Sequence, residues 1–273
     1  MLRYTPFTLK SIDEHLERWS KKHAPLARQA EAALTRRDMV TLLSYARDTK
    51  VVGTQSTGNM PLKAVREVTA RFVHPPQLDT RIGDQTYLLR SEEEIWPLFF
   101  LHILADVGGL VKTGRARRWR TTAQAKRFLQ TEPLVQSAFL LAVWWHKVNW
   151  LIAYPLTGMG EHLPYSFSNK TLAGLRALPS GTRVSFVAFA DQLIAQSGLT
   201  WTAPDSPVAG WALRASINRM VIDVLADFGA LKCRYRKKPL GRGTINELAA
   251  FQMTPWGVAL LDAVALIGGR CLY

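Results

Sequence analysis

Cysteine is nearly missing from this chain: Cys233 and Cys271 are the only two in 273 residues. Two isolated cysteines give neither a disulfide framework nor a Cys-rich zinc module, and a reducing cytoplasm is the expected setting. The histidines at 15, 23, 74, 102, 146 and 162 show no zinc-ligand spacing with one another, with a cysteine or with a carboxylate. His102 and His146 fall on apolar helical stretches and read as hydrogen-bonded core residues. No Gly-x-Ser-x-Gly elbow occurs. Thr157-Gly158-Met159-Gly160 lacks the third glycine and the lysine of a phosphate loop and reads as a turn. The sequence therefore offers no catalytic residue, no metal site and no cofactor, and predicts a protein that is not an enzyme.

Long hydrophobic runs are also lacking. The stretch 134–156 is rich in Phe, Leu and Trp, yet its longest uninterrupted part, Ala138 to Trp145, falls far short of the roughly 20 residues of a span. His146, Lys147 and Asn149 interrupt it, at a cost no lipid-buried helix carries lightly. A buried core helix is expected, and no membrane partner. Residues 1–7 show no signal-peptide apolar run, and the chain turns polar by Lys10.

Acidic residues are the third scarcity. Lys and Arg number 35 against 21 Asp and Glu, a formal charge of +14, in an otherwise ordinary composition with 48% apolar residues. Two segments hold no acid at all. Val107–Thr131 carries Lys112, Arg115, Arg117, Arg118, Arg120, Lys126 and Arg127; Phe228–Asn246 carries Lys232, Arg234, Arg236, Lys237, Lys238 and Arg242. Solvated faces usually mix charge signs. A local basic excess points to a polyanionic partner.

Helical spacing and caps give a coarse element order. Ser11 and Glu14 form a capping box for an opening helix that Pro25 breaks. Helices follow at 26–34 and 38–47, a short strand at Val51-Val52, and a helix over 62–73 that begins behind Pro61 and ends before Pro75-Pro76. An extended stretch at 86–89 precedes a helix over 92–106, which Ser91 and the three glutamates behind it are expected to start. Asp106-Val107-Gly108-Gly109-Leu110 ends that helix, as Asp227-Phe228-Gly229-Ala230-Leu231 ends another running from Trp211 to Asp227. Each ending is followed by an acid-free basic segment and then a Thr-capped helix, with Thr122 aligned to Thr254, Ala125 to Gly257 and Phe128-Leu129 to Leu260-Leu261. An order that occurs twice is an internal repeat.

Helix, glycine stop, strand, basic hairpin, strand and Thr-capped helix resemble the second half of a winged helix-turn-helix domain. Helix, strand and helix ahead of them at 38–73, and again at 171–196, resemble its first half. The resemblance implies an α+β, mainly α fold with two winged-helix modules at 36–130 and 168–273. The first follows a helical N-terminal extension at 1–35, and a bridging hydrophobic helix occupies 131–167. The superposable parts are 36–130 and 168–265, with hairpins at 109–121 and 230–253.

What the resemblance implies for function is duplex DNA binding. Phosphate contacts are expected from the first wing (Lys112, Arg115, Arg117, Arg118, Arg120) and the second (Lys232, Arg234, Arg236, Lys237, Lys238, Arg242), with Trp119 either packed beneath its wing or stacked on a base. The third helix of such domains reads bases with Arg, Lys, Asn or Gln. The first copy begins Glu92-Glu93-Glu94 and is almost wholly apolar, so base reading falls to Arg214, Asn218 and Arg219 of the second. A transcription regulator and an accessory factor of a mobile element or defence system both fit. The alternative is a protein-interaction scaffold without sequence-specific DNA binding, whose partner or second copy docks on the 92–106 helix.

Overall fold

The computed structural model describes residues 9–82, 84–153, 163–164, 166–240 and 243–271, so Arg242 and the 157–160 glycines lie outside the described residues. The fold is α+β and mainly helical, with three small sheets among the described residues, and the chain forms two compact units, residues 1–27 with 31–148 and residues 28–30 with 149–273. Among the described residues no helix is long and apolar enough to cross a membrane.

The first unit begins with α1 (Leu9–His23), a 3-10 turn at Ala24–Leu26, α2 (Ala27–Ala32) and α3 (Leu34–Asp48), longer than the predicted 38–47. Then come α4 (Leu62–Thr69), the hairpin β1 (Thr80–Ile82) and β2 (Gln85–Tyr87), α5 (Trp96–Val107), β3 (Val111–Lys112), β4 (Arg120–Thr121), α6 (Ala123–Gln130) and α7 (Pro133–His146). The α4 helix stops at Thr69 rather than 73. Every residue of α7 from Leu134 to Trp145 is buried. A helix apolar on all sides needs neighbours on all sides; α7, the helix expected as a bridge, packs against α1, α3 and α5.

The second unit holds α8 (Trp150–Ala153), α9 (Phe167–Arg176), β5 (Arg183–Ser185), α10 (Phe186–Ser197), α11 (Ala209–Ile217), a π-helical segment Asn218–Asp223, α12 (Val224–Asp227), β6 (Leu231–Leu240), β7 (Gly243–Met253) and α13 (Pro255–Cys271). Its sheet is antiparallel in the order β5-β7-β6. In the first unit Val52 bridges Arg118, Trp119 N donates to Val51 O (2.9 Å) and Gly53 N to Arg117 O (2.9 Å), so residues 51–53 flank the β4 side of its hairpin as β5 flanks β7.

The helix-to-hairpin junctions carry the same hydrogen bonds. Gly109 (φ +63°) and Gly229 (φ +72°) take the left-handed conformation that costs other residues about 1–2 kcal/mol. Behind them Leu110 N donates to Ala105 O (2.7 Å) and Ala230 N to Leu225 O (2.8 Å). Thr122 Oγ1 donates to Gly109 O (2.7 Å) and Thr254 Oγ1 to Gly229 O (3.0 Å), while the same hydroxyls cap Ala125 N and Gly257 N. These bonds correct the alignment of Asp106–Leu110 with Asp227–Leu231 by one residue. Gly108 is right-handed, so Gly109 is the match of Gly229 and Leu110 that of Ala230. Thr122 and Thr254 remain equivalent.

Gly257 sits where a methyl would stand 2.1 Å from Ala230 O and 2.7 Å from Met253 Sδ. Gly257→Ala is expected to cost about 1–3 kcal/mol or more through overpacking, read as a lower urea midpoint at unchanged slope. Gly198→Ala, with nothing within 4 Å, should lose only the left-handed penalty of about 1–2 kcal/mol.

Candidate nucleic-acid interface

The first basic turn is built on a rigid base. Gly53 and Gly58 approach Gly114 so closely that a methyl on Gly53 would lie 2.5 Å from Gly114 O, and one on Gly58 2.7 Å from Gly114 C. Ala116 N donates to Thr54 O (3.2 Å) and Arg117 N to Gly114 O (3.1 Å), which holds Ala116 at φ +51° between two arginines. Such strain persists only where the surroundings over-determine it. Trp119 packs beneath the turn, 1% exposed, with Nε1 donating to Gly58 O (3.2 Å) and its ring 4.3 Å from that of His102. Of the two roles open to it, the packed one is observed.

Lys112, Arg115, Arg117, Arg118 and Arg120 are all exposed on this turn. Among the described residues none of the five is in an ion pair. Loop residues Gln55, Ser56 and Thr57, polar and exposed, stand beside the turn through the Thr54 and Gly58 contacts.

Below the turn lies a buried network that the sequence hides. Glu92 is 1% exposed; its Oε1 is 2.7 Å from His102 Nδ1 and its Oε2 accepts from Met60 N at 2.5 Å. His102 Nε2 lies 3.5 Å from Thr113 Oγ1, which donates to Asp106 Oδ1 (3.2 Å). This corrects two expectations. Glu92–Glu94 form a 3-10 turn ahead of α5, Ser91 makes no side-chain cap, and Glu92 is a core hydrogen-bond acceptor rather than a charge at a helix start. His102 is the hydrogen-bonded core histidine expected.

On α5, Leu98, Phe100, Leu101, Leu104 and Ala105 are buried in the first unit, whereas Trp96, Phe99 and Ile103 are partly exposed and Val107 is exposed.

In the second unit the three base-reading candidates are not exposed together. Arg214 forms a two-point pair with Asp191, Nε to Oδ1 at 2.6 Å and Nη2 to Oδ2 at 3.2 Å. Asn218 Nδ2 donates to Asp223 Oδ2 (3.3 Å) and its Oδ1 is buried without a partner. Arg219 is exposed, with Nη1 3.6 Å from Asp223 Oδ2. Burial raises the Asp223 carboxyl above its ordinary range, against the pull of Arg219 and Asn218. The π-helical turn at 218–223 places Asn218 and Asp223 side by side. The apolar residue that stands out on α11 is Trp211, 60% exposed.

On β6 alternate residues Lys232, Arg234, Arg236 and Lys238 share the outer sheet face, since strand side chains alternate. Glu247, one residue past the acid-free segment, takes the outer two: Arg236 Nη2 at 2.7 Å and Lys238 Nζ at 3.0 Å. Hydrogen bonds from Arg236 and then Lys238 hold its carboxyl below the usual range. Lys237 is exposed and pairs in register with Asn246.

No protein-family model, curated protein or solved structure matches this chain.

Several functional features escaped the sequence. Asp191, 23 residues from Arg214, gave no local signal, and Glu247 fell outside the acid-free window. Cys233, half-buried on β6, has its thiol pushed up to about 11, first by burial and next by Asp223. In a Cys271→Ser background, native Cys233 should react with a disulfide reagent at pH 8 about two orders of magnitude slower than in the unfolded chain, because only the thiolate attacks. Equal rates would contradict the burial. Among the described residues no group of three potential ligands is placed to hold a metal.

Proposed function

We propose that this protein binds duplex DNA through its phosphates, chiefly by the turn that carries Lys112, Arg115, Arg117, Arg118 and Arg120. The observation that carries the reading is five exposed cations on one turn, without an ion pair among the described residues, whose backbone is fixed by the 53–58 loop. Phosphate oxygens are the partners that such unneutralised, closely spaced arginines accept. The order helix, strand, helix, helix, hairpin, helix of the second unit, with β5-β7-β6 pairing, supports a winged-helix module there. The first unit keeps that order with a single bridge at Val52 as its strand and the β1–β2 hairpin inserted between α4 and α5, and the shared junction bonds support a repeat. Base reading is a minor part of this function, because Asp191 occupies the fork of Arg214 and Asn218 turns toward Asp223. Binding is therefore largely independent of sequence, as suits an accessory or architectural role better than a selective regulator.

The test is duplex affinity over a range of salt concentrations. Phosphate gripping gives a steep linear fall of log affinity with log salt. No binding at low salt removes the reading.

A second reading is favoured by Trp211, whose exposed indole on α11 is the type of side chain that anchors protein interfaces. On that reading the protein is a scaffold and binds DNA weakly with a shallow slope.

A further inference from the structure

The register of the second unit's sheet sets Arg183 opposite Gln252, and Gln252 opposite Lys232, on adjacent strands. Directly paired residues share a face. Arg183, Ser185, Gln252, Ala250, Lys232 and Arg234 thus occupy the outer face, while Val184, Phe251 and Cys233 occupy the other. Burial agrees: Arg183, Lys232 and Arg234 are exposed and Phe251 is 1% exposed. Ala250, on the outer face, is only 8% exposed. It and Gln252 form the floor of a depression of about 160 Å³, and Arg183, Lys232 and Arg234 form its rim.

The rim differs in kind from the rest of the hairpin. Glu247 neutralises Arg236 and Lys238, whereas Arg183, Lys232 and Arg234 have no ion pair among the described residues. Strands lie about 4.8 Å apart, so the backbones of Arg183 and Lys232 are roughly 10 Å apart across β7. Side chains of that length converge readily on one tetrahedral anion between them. Gln252, held by its bond to Gly181 O (2.6 Å), keeps an amide at the same place. Three cations without an ion pair among the described residues, over a shallow neutral floor, fit a phosphate group better than a carboxylate, because a phosphate presents three or more acceptor oxygens to separate donors.

We infer that the outer sheet face of the second unit binds a phosphate group between Arg183, Lys232 and Arg234, at the base of the hairpin rather than at its end. The phosphate belongs to a nucleic-acid backbone or is free in solution. Only the first source rests on the DNA reading, which this site deepens by adding Arg183 and removing Arg236 and Lys238.

The experiment uses the full chain with two probes, a mixed-sequence duplex and inorganic phosphate. Wild type is compared with Arg183→Gln/Lys232→Gln/Arg234→Gln and with Arg236→Gln/Lys238→Gln, the thermal midpoint without ligand serving as fold control. The triple variant is expected to flatten the duplex salt slope by about two to three units, and to lose the midpoint rise that phosphate gives wild type; the double variant should change neither appreciably. Arg183→Gln alone, on an exposed edge position, should flatten the slope by about one unit and carries the test where the triple variant melts early. Equal losses in triple and double variants overturn the site, as does a triple variant that behaves as wild type. A wild type that ignores duplex while phosphate stabilises it, and not the triple variant, removes the DNA reading and keeps the site with free phosphate as its ligand. A wild type that binds neither probe removes both.

Discussion

Changing Arg115, Arg117, Arg118 and Arg120 together to alanine is expected to flatten the slope of log duplex affinity against log salt by about two to four units. Each phosphate neutralised on a duplex releases condensed counterions and contributes about −0.9 to that slope. Four exposed arginines on one fixed turn, without ion pairs among the described residues, set the upper end, and one or two facing away from the duplex set the lower. The loss should be the same on unrelated sequences, because phosphates carry no base information. At moderate salt a loss of this size amounts to orders of magnitude in affinity. Arg214→Ala should do little by comparison: its guanidinium already meets Asp191, and its removal leaves the carboxylate exposed rather than a base unread. A loss confined to preferred sequences in Arg214→Ala, of about 1–3 kcal/mol, would restore base reading to α11. The scaffold reading expects weak duplex binding that the four changes leave alone, and Trp211→Ala to abolish capture of its protein partner.

What the sequence made legible was local. A threonine three residues ahead of Ala125 or Gly257 is a cap because its hydroxyl reaches that amide wherever the chain turns into a helix. A glycine at the end of an apolar helix marks a left-handed stop, and the basic hairpins follow from the polar runs between them. The one-residue misalignment of the repeat arose from Gly108-Gly109, where two glycines compete for the stop and only backbone conformation decides. The exposed arginines of the first turn were legible because surface charge needs no tertiary partner. The features that were not legible depend on contacts distant in sequence. Arg214 meets Asp191 on a neighbouring helix, Glu247 lies across a strand pair, and Arg183 reaches the basic hairpin only through the β5–β7 register. The cost of leaving the first group unpaired is small at a surface; for the buried Glu92 it is large, and there the local reading as a helix-start charge failed most.

Glu92→Ala is expected to destabilise the protein by about 2–6 kcal/mol, the cost of leaving two buried hydrogen-bond groups without their acceptor. The carboxylate has two jobs in the core of the first unit. Its Oε1 meets His102 Nδ1 and its Oε2 accepts from Met60 N. Alanine leaves a buried backbone N–H and an imidazole nitrogen without acceptors, each a penalty of about 1–3 kcal/mol, and adds a small cavity. Glu92→Gln keeps an oxygen for Met60 N and an amide for His102, whose tautomer can follow, so it should cost no more than about 1–2 kcal/mol. His102→Leu removes the other member, and the double change Glu92→Leu/His102→Leu should cost less than the sum of the two single leucine changes, by about 0.5–3 kcal/mol of coupling. Urea unfolding of Glu92→Ala, Glu92→Gln, Glu92→Leu, His102→Leu and the double leucine variant reads these differences, and additive costs would mean that the two side chains do not act as a pair. The same variants connect stability to the interface. His102 packs on Trp119, and Trp119 stands between Arg118 and Arg120 with its indole N–H on Gly58 O. Loss of the Glu92 anchor should therefore free the 114–120 turn before it unfolds the unit, seen as faster amide exchange at Trp119 and Arg117 in Glu92→Ala at temperatures where the global fold is intact. Unchanged exchange there, beside a lowered midpoint, would separate the buried pair from the turn and leave the rigidity of the turn to the glycine contacts at 53, 58 and 114.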